Sequence, residues 1–370
     1  MTRRLLAVRG VVVKVGSTSL VDDRGMVSRR KMAKVVRDVA GVVDGGRSCV
    51  LVSSGAIASG LEPLGLPRRP RDMPTLQAAA AVGQGRLMAE YARLFAARGL
   101  VAAQVLLTYE DVVRRRQFVN ARNTLERLLA KGAVPVVNEN DTVATDEIRF
   151  GDNDRLAALV AVMTNADLLV LLSDVEGIHD RDPRLGRATL LAEVTELEAV
   201  RATGPRSRMG LGGMASKLEA AGIATAGGIG VVVASARRRD VLARILAGEE
   251  LGTWLPPRGG RKRARKAWIA FASGIRGRIV VDGGAERAVR EDGRSLLAAG
   301  VTGVEGDFAA GDPVEVAGPA GRPFARGIAN YSSEQLPTLA GRTSRDLASL
   351  PGGPYDREVI HRDELVVMES

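Results

Sequence analysis

A chain of 370 residues, 45% of them hydrophobic, has apolar material for two domains of ordinary size, and with 3% aromatics it must fill its cores with Val, Leu, Ile and Ala. A single cysteine, Cys49, excludes an intrachain disulfide and a cysteine-built zinc site, and two histidines far apart, His179 and His361, argue against a histidine metal site or a Ser-His-Asp triad. The net charge of +10 points to anionic partners such as phosphates or nucleic acid.

The stretch Met1–Val15 begins with arginines and turns apolar, as a signal peptide does, but Arg9 and Lys14 interrupt the run. Six continuous apolar runs then read as buried strands: Val11–Val15, Cys49–Val52, Val101–Leu107, Ala133–Val137, Leu168–Leu172 and Gly230–Ala234. Helical periodicity fills the gaps at Arg29–Val43, Thr75–Arg98, Gln117–Lys131, Asp154–Thr164 and Ser216–Ala226. The alternation predicts an α/β domain with an open, mostly parallel sheet sandwiched by helices. Cys49, at the head of a strand, reads as a buried structural thiol, and its solitude suits a reducing, cytoplasmic setting. The uncharged stretch Ala220–Ala236 is broken by four glycines and reads as helix end, turn and strand, so no membrane span is expected.

Polar residues gather where these strands end, the edge at which open α/β sheets bind ligands. The first strand ends in Lys14-Val15-Gly16-Ser17-Thr18-Ser19, which is either an anion cradle or an ordinary strand–turn with a surface lysine. The second runs into Ser53-Ser54-Gly55-Ala56-Ile57-Ala58-Ser59-Gly60, where Ser54 and backbone N–H groups suit a substrate carboxylate, although a helix cap by Ser53 or Ser54 is the plainer reading. The fourth runs into Asn138-Glu139-Asn140-Asp141, and Gly151-Asp152-Asn153-Asp154 opens a helix. Asp or Asn at a helix start is usually a cap, but this many acids and amides exceed what capping needs. Asp141 suits a substrate amine, and Asp154 suits either Mg²⁺ or the orientation of lysines. The fifth strand ends in Ser173-Asp174, and Gly210-Leu211-Gly212-Gly213-Met214-Ala215-Ser216-Lys217 enters a helix. Glycines before a helix with Lys217 in its first turn suit a triphosphate, while a flexible loop is the better reading in isolation.

After Trp254-Leu255-Pro256-Pro257 the pattern changes. Arg258–Lys266 carries six basic residues and no acid, as a solvated linker does. Short strands follow at Trp268–Phe271, Arg278–Val281, Pro313–Val316, Phe324–Ala329 and Glu364–Met368. The expected organisation is an α/β domain over 1–257, a basic linker over 258–267 and a mostly β domain over 268–370. From Arg258 on, 17 basic residues face 15 acidic ones, so the surplus charge lies mainly in the first domain and nucleic-acid binding by the second is not favoured.

Taken together, the KxGS start, SSGAIASG, AVGQ, NENDTVAT, GDND, LLSDVEG and GGMASK resemble the glutamate 5-kinases of the amino-acid kinase family in order and approximate spacing. The C-terminal part resembles a PUA domain, a small β-barrel-like module found in RNA-modifying proteins and appended to many of these kinases. The resemblance implies ATP- and Mg²⁺-dependent phosphorylation of the γ-carboxylate of L-glutamate, the step that opens proline synthesis. It implies that Lys14 and Lys217 neutralise the moving phosphoryl group and that Asp154 orients them. It implies glutamate contacts from Ser54, Asp141 and Asn153, with Asn138 beside them. Nucleotide contacts would come from Lys14, Ser173, Asp174 and the run Leu211, Gly212, Gly213, Met214, Ala215, Ser216 and Lys217. It further implies inhibition by L-proline, a homo-oligomer, and contact with the next enzyme of the pathway. Two positions depart from the family: Leu211 and Ser216 stand where threonine is usual, and Leu211 loses a side-chain contact. The alternatives are a related kinase with another acceptor and, from a different class, a PUA-type RNA-binding protein.

Overall fold

The computed structural model describes residues 7–22, 25–108, 111–112, 115–143, 153–181, 186–197, 213–258, 275–347, 355 and 358–368. The chain divides into two units, Met1–Asp111 with Val119–Arg261 and Val112–Phe118 with Lys262–Ser370.

The first unit is built on seven strands: β1 (Gly10–Val15), β2 (Ser48–Ser53), β3 (Ala102–Leu107), β4 (Val134–Glu139), β5 (Leu168–Ser173), β6 (Gly230–Ser235) and β7 (Thr253–Leu255). They lie in the order β3-β4-β2-β1-β5-β6-β7. All pairings are parallel except β6 with β7. Every residue of β4, β5 and β6 is buried, which explains the continuous apolar runs: helices cover both faces, so neither face can be polar. The chain walks outward from β1 through β2, then returns past β1 to place β5 on its other side. That reversal puts the carboxyl ends of β1, β2, β4 and β5 around one crevice.

Helices α1 (Arg29–Asp44), α2 (Ala56–Leu61), α3 (Met73–Ala96), α4 (Arg115–Ala130), α5 (Asn153–Met163), α6 (Met214–Ala226) and α7 (Val241–Leu246) connect the strands. Helix α1 is capped by Ser28 and α3 by Asp72, whose carboxylate accepts from the Thr75 N–H at 3.0 Å. Helices α2 and α3 touch backbone to backbone. A Cβ on Gly60 would stand 1.9 Å from the Ala79 carbonyl oxygen, and one on Gly83 1.8 Å from that of Ala56. Helix α5 is apolar all round because it lies under the sheet and carries α6 on its outer side. No described helix is long and apolar enough to cross a membrane.

The second unit holds strands β8 (Gly277–Val281), β9 (Val301–Gly306), β10 (Pro313–Ala317), β11 (Pro323–Ile328) and β12 (Leu365–Val367), in the order β12-β11-β10-β8-β9. Only β8 and β10 pair in parallel. Ile279, Val281, Val314, Val316, Phe324 and Leu365 turn one face into a core, together with Val289 of α8 (Gly283–Arg290). Short helices α9 (Leu336–Leu339) and α10 (Ser344–Leu347) follow.

The structure departs from the sequence reading at particular places. The antiparallel strand β7, whose Trp254 pairs with Val232, is absent from the expected strands, although its residues fall within the expected first domain. Strand β9, Val-Thr-Gly-Val-Glu-Gly, is absent from the expectation because its glycines and polar residues mute the strand pattern. Helix α8 begins with two glycines, poor helix formers, and is held by Asp282, which accepts from the Ala285 N–H at 2.7 Å. The expected strand Trp268–Phe271 lies outside the described residues.

Candidate active site

Lys14 is the penultimate residue of β1 and is 3% exposed. Its ammonium reaches Asp154 Oδ1 at 2.6 Å. Asp154 is fully buried as the second residue of α5, where the N-terminal end of the helix dipole favours a negative charge. Lys217 is the fourth residue of α6 and meets the same carboxylate at Oδ2, 3.0 Å away. Ser216 Oγ donates to that oxygen at 3.2 Å, so three groups from two elements converge on one carboxylate. Two buried lysines converge on one buried carboxylate away from bulk water, a setting in which an incoming anion is favoured. Of the two uses the sequence left open for Asp154, these distances fit lysine orientation, since both of its oxygens already face lysine ammonium groups.

The start of α6 adds to the same place. Gly213 caps it with φ 147, a left-handed value that suits glycine, and its carbonyl accepts from Ser216 Oγ at 3.0 Å. Met214 and Ala215 supply the first helical turn. Leu211 and Gly212 lie outside the described residues.

Next to Asp154 stands Asn153, which joins a second network. Its Nδ2 donates to the Ser53 carbonyl at 2.7 Å, to Ser54 Oγ at 3.0 Å and to Asn138 Oδ1 at 2.8 Å. Asn138, 2% exposed at the end of β4, donates through its own Nδ2 to Gln84 Oε1 at 2.9 Å. Neither Ser53 nor Ser54 caps a helix. The cap of α2 is Gly55 at φ 106, which frees the two serines for other partners. Ser53 Oγ shares a 2.8 Å hydrogen bond with the hydroxyl of Tyr91, whose titration burial pushes up, so that the phenol stays protonated. Asp141 sits in the turn after β4 and is partly buried.

At the end of β5, Ser173 is buried and donates to Asp174 Oδ1 at 3.1 Å, while Asp174 is exposed. The Ser173 carbonyl accepts from the Ala236 N–H at 2.7 Å, tying this corner to β6. Cys49 is buried and its thiol is pushed up to about 12 by burial, so it takes no part. Among the described residues no group of three or more His, Cys, Asp or Glu side chains is placed to hold a metal ion.

The structure thus gathers Lys14, Asp154, Ser216 and Lys217 in one cluster and Ser54, Asn138 and Asn153 in an adjoining one. Gln84 and Tyr91 were not singled out as site residues from sequence. Gln84 closes the AVGQ motif, and Tyr91 follows seven residues later on the same face of α3, which is the signal that links them.

The amino acid kinase family profile matches residues 9–235 and the PUA domain profile residues 277–350. Glutamate 5-kinase of Streptomyces coelicolor is 51% identical over 364 residues, covering 97% of this chain and 96% of that protein. Glutamate 5-kinase of Frankia casuarinae is 50% identical over 364 residues, with 97% of both chains covered. Glutamate 5-kinase of Salinispora arenicola is 50% identical over 372 residues, with 100% of both covered.

Proposed function

Since the chain belongs to the glutamate 5-kinases of the amino acid kinase family, we propose that it transfers the γ-phosphoryl group of ATP to the γ-carboxylate of L-glutamate, the opening step of proline synthesis. A carboxylate oxygen attacks the γ-phosphorus, the bond from that phosphorus to the β,γ-bridging oxygen breaks, and ADP leaves with the electron pair. The products are γ-glutamyl phosphate and ADP. The nucleophile is already ionised near neutral pH, so no general base is required. What remains is to hold two anions in line and to screen the charge that moves between them. The observation that carries this reading is the buried Lys14–Asp154–Lys217 cluster. Asp154 fixes both ammonium groups before substrate arrives, so no reorganisation is needed during transfer.

In the same reading Ser54, Asn138, Asn153 and Asp141 bind glutamate, with Asp141 facing its ammonium group. Ser173, Asp174 and the segment Leu211–Lys217 bind the nucleotide, and Mg²⁺ bound with it would screen the phosphate charge. L-Proline, sharing the α-amino acid group of glutamate, inhibits by competing for that pocket. The protein works in the cytoplasm as a homo-oligomer and hands its labile product to the next enzyme of the pathway. The kinase chemistry resides in 1–257, joined through 258–267 to the PUA-like part at 268–370.

A coupled assay of ATP turnover with L-glutamate, N-acetylglutamate, aspartate or UMP tests the reaction. Turnover should depend on L-glutamate, and equal or faster turnover with another acceptor would overturn the substrate. Asp141→Asn should raise the glutamate KM by about tenfold, the scale of a charge-assisted contact, and leave the ATP KM unchanged. A selective rise in the ATP KM would move Asp141 to the nucleotide.

A further inference from the structure

We propose that Gln84 is a positioning residue that sets the donor and acceptor polarity of the glutamate pocket. The inference depends on the reading of Ser54, Asn138 and Asn153 as glutamate contacts. Gln84 touches none of the reacting groups in that reading and acts through Asn138, 54 residues further along the chain.

The chain of amides has a direction. Asn138 donates through Nδ2 to Gln84 Oε1 and accepts at Oδ1 from two donors, the Glu139 N–H at 2.9 Å and Asn153 Nδ2 at 2.8 Å. Turned over, Asn138 would set its NH2 group against those two donors. Asn138 is 2% exposed, and its Nδ2 group would be costly to leave without an acceptor. Gln84 thereby removes the reason for Asn138 to rotate.

The direction passes to Asn153. An amide nitrogen carries two hydrogens, and Asn153 Nδ2 already faces three acceptors: the Ser53 carbonyl, Ser54 Oγ and Asn138 Oδ1. Its nitrogen is therefore engaged by the protein, and Oδ1 is the atom it has left to offer a ligand. An acceptor suits an ammonium group and repels a carboxylate. The polarity that selects an amino acid by its amine thus begins at Gln84. Its own place is secure, because the neighbouring Gly83 fixes α3 against α2 by direct backbone contact.

Gln84→Met removes the acceptor at similar side-chain length, and Gln84→Glu keeps an oxygen for Asn138 Nδ2. Steady-state kinetics should show Gln84→Met raising the glutamate KM about five- to tenfold, with kcat and the ATP KM within about twofold. Gln84→Glu should bring the glutamate KM back to within about threefold of the parent. Gln84→Ala, a good helix former, replaces Gln84→Met if that variant does not fold. Asn153→Ala, measured beside them, tests the pocket itself. If Asn153→Ala raises the glutamate KM and the Gln84 variants do not, the pocket stands and the role of Gln84 is overturned. If neither changes it, the pocket reading falls and the inference falls with it. A loss of kcat and of both substrate affinities that Gln84→Glu does not rescue would assign Gln84 a general structural role instead.

Discussion

Asp154 and Glu315 are each held by two cations, Asp154 by Lys14 and Lys217, and Glu315 by Arg278 and Arg326, but they sit in opposite electrical surroundings. At Asp154 the partners lie at 2.6 and 3.0 Å, and the three side chains are 0 to 9% exposed. At Glu315 both partners lie at 3.4 Å, and the side chains are 18 to 35% exposed. The Glu315 group runs across the polar face of the second sheet, where Arg278 also meets Glu305 at 3.4 Å. Water and salt screen such a ladder, and its worth is small. No such screening reaches Asp154. Burying two ammonium groups and a carboxylate costs several kcal/mol per ion before their attraction is counted. A fold that carries that cost at the carboxyl edge of a parallel sheet has placed a charged device there, and the same triplet on an open sheet face is only a surface.

The largest effect should come from breaking the buried triplet. Lys217→Ala removes a cation from the transition state and should lower kcat by about 10² or more, while the glutamate KM moves far less. Single-turnover measurements would separate chemistry from product release. An unchanged kcat in a folded Lys217→Ala protein would mean that buried charge alone does not mark the chemistry, and the contrast with Glu315 would lose its meaning.

Asp38 sharpens the comparison, since it is buried yet remote in role. It lies on α1, 7% exposed, with Lys34 Nζ at 2.9 Å. Burial raises its titration above the ordinary 3.8, with Asp240 adding to the rise, and Lys34 and Arg37 pull it back. The folded state therefore binds the proton more tightly than the unfolded one. The stability this group contributes is present below pH 3.8 and is lost as pH rises through the folded value. Asp38→Asn should consequently gain in Tm relative to the parent as pH rises from acid to neutral, with kcat unaltered. A Tm difference independent of pH would show that Asp38 is not strained by burial.

How much of this was visible in the sequence follows from the same distinction. The parallel sheet was legible because strands covered on both faces leave unbroken apolar runs such as Leu168–Leu172. The polar residues at the strand ends were legible because they interrupt those runs at one recurring place. Which of them meet came only from the family resemblance, not from the residues' own pattern. Lys14, Asp154 and Lys217 are 140 and 63 residues apart in pairs that only the sheet order brings together. The serines after β2 looked like caps because Ser is a common cap, and only the φ of 106 at Gly55 shows that glycine fills that role. Gln84 and Tyr91 were hidden in an amphipathic helix whose polar contacts face inward. In the second unit the half-exposed strands and glycine-led α8 carry weaker periodic signals, which is why β9 and α8 were missed.

The smallest effect should come from the partly exposed triplet. Glu315 accepts from Arg278 and Arg326 at distances at the outer limit of a hydrogen bond, and each arginine remains about one-third exposed. Exposed pairs of this kind are worth about 0 to 1 kcal/mol, and the entropy of holding long side chains offsets much of that. Glu315→Ala would leave two arginines side by side on β8 and β11 flanking β10, but both can swing into water and Arg278 keeps Glu305. Glu315→Ala should therefore lower Tm by no more than about 4–6 °C, the shift that about 1 kcal/mol gives in a unit of roughly a hundred residues. The small difference should shrink further as salt rises from about 0.05 to 0.5 M, where the Debye length falls well below 10 Å. ATP turnover with L-glutamate should be unchanged throughout. A loss of activity comparable to that of Lys217→Ala would show that an exposed ion pair of the second unit governs the chemistry, and that burial is the wrong criterion by which to tell the two triplets apart.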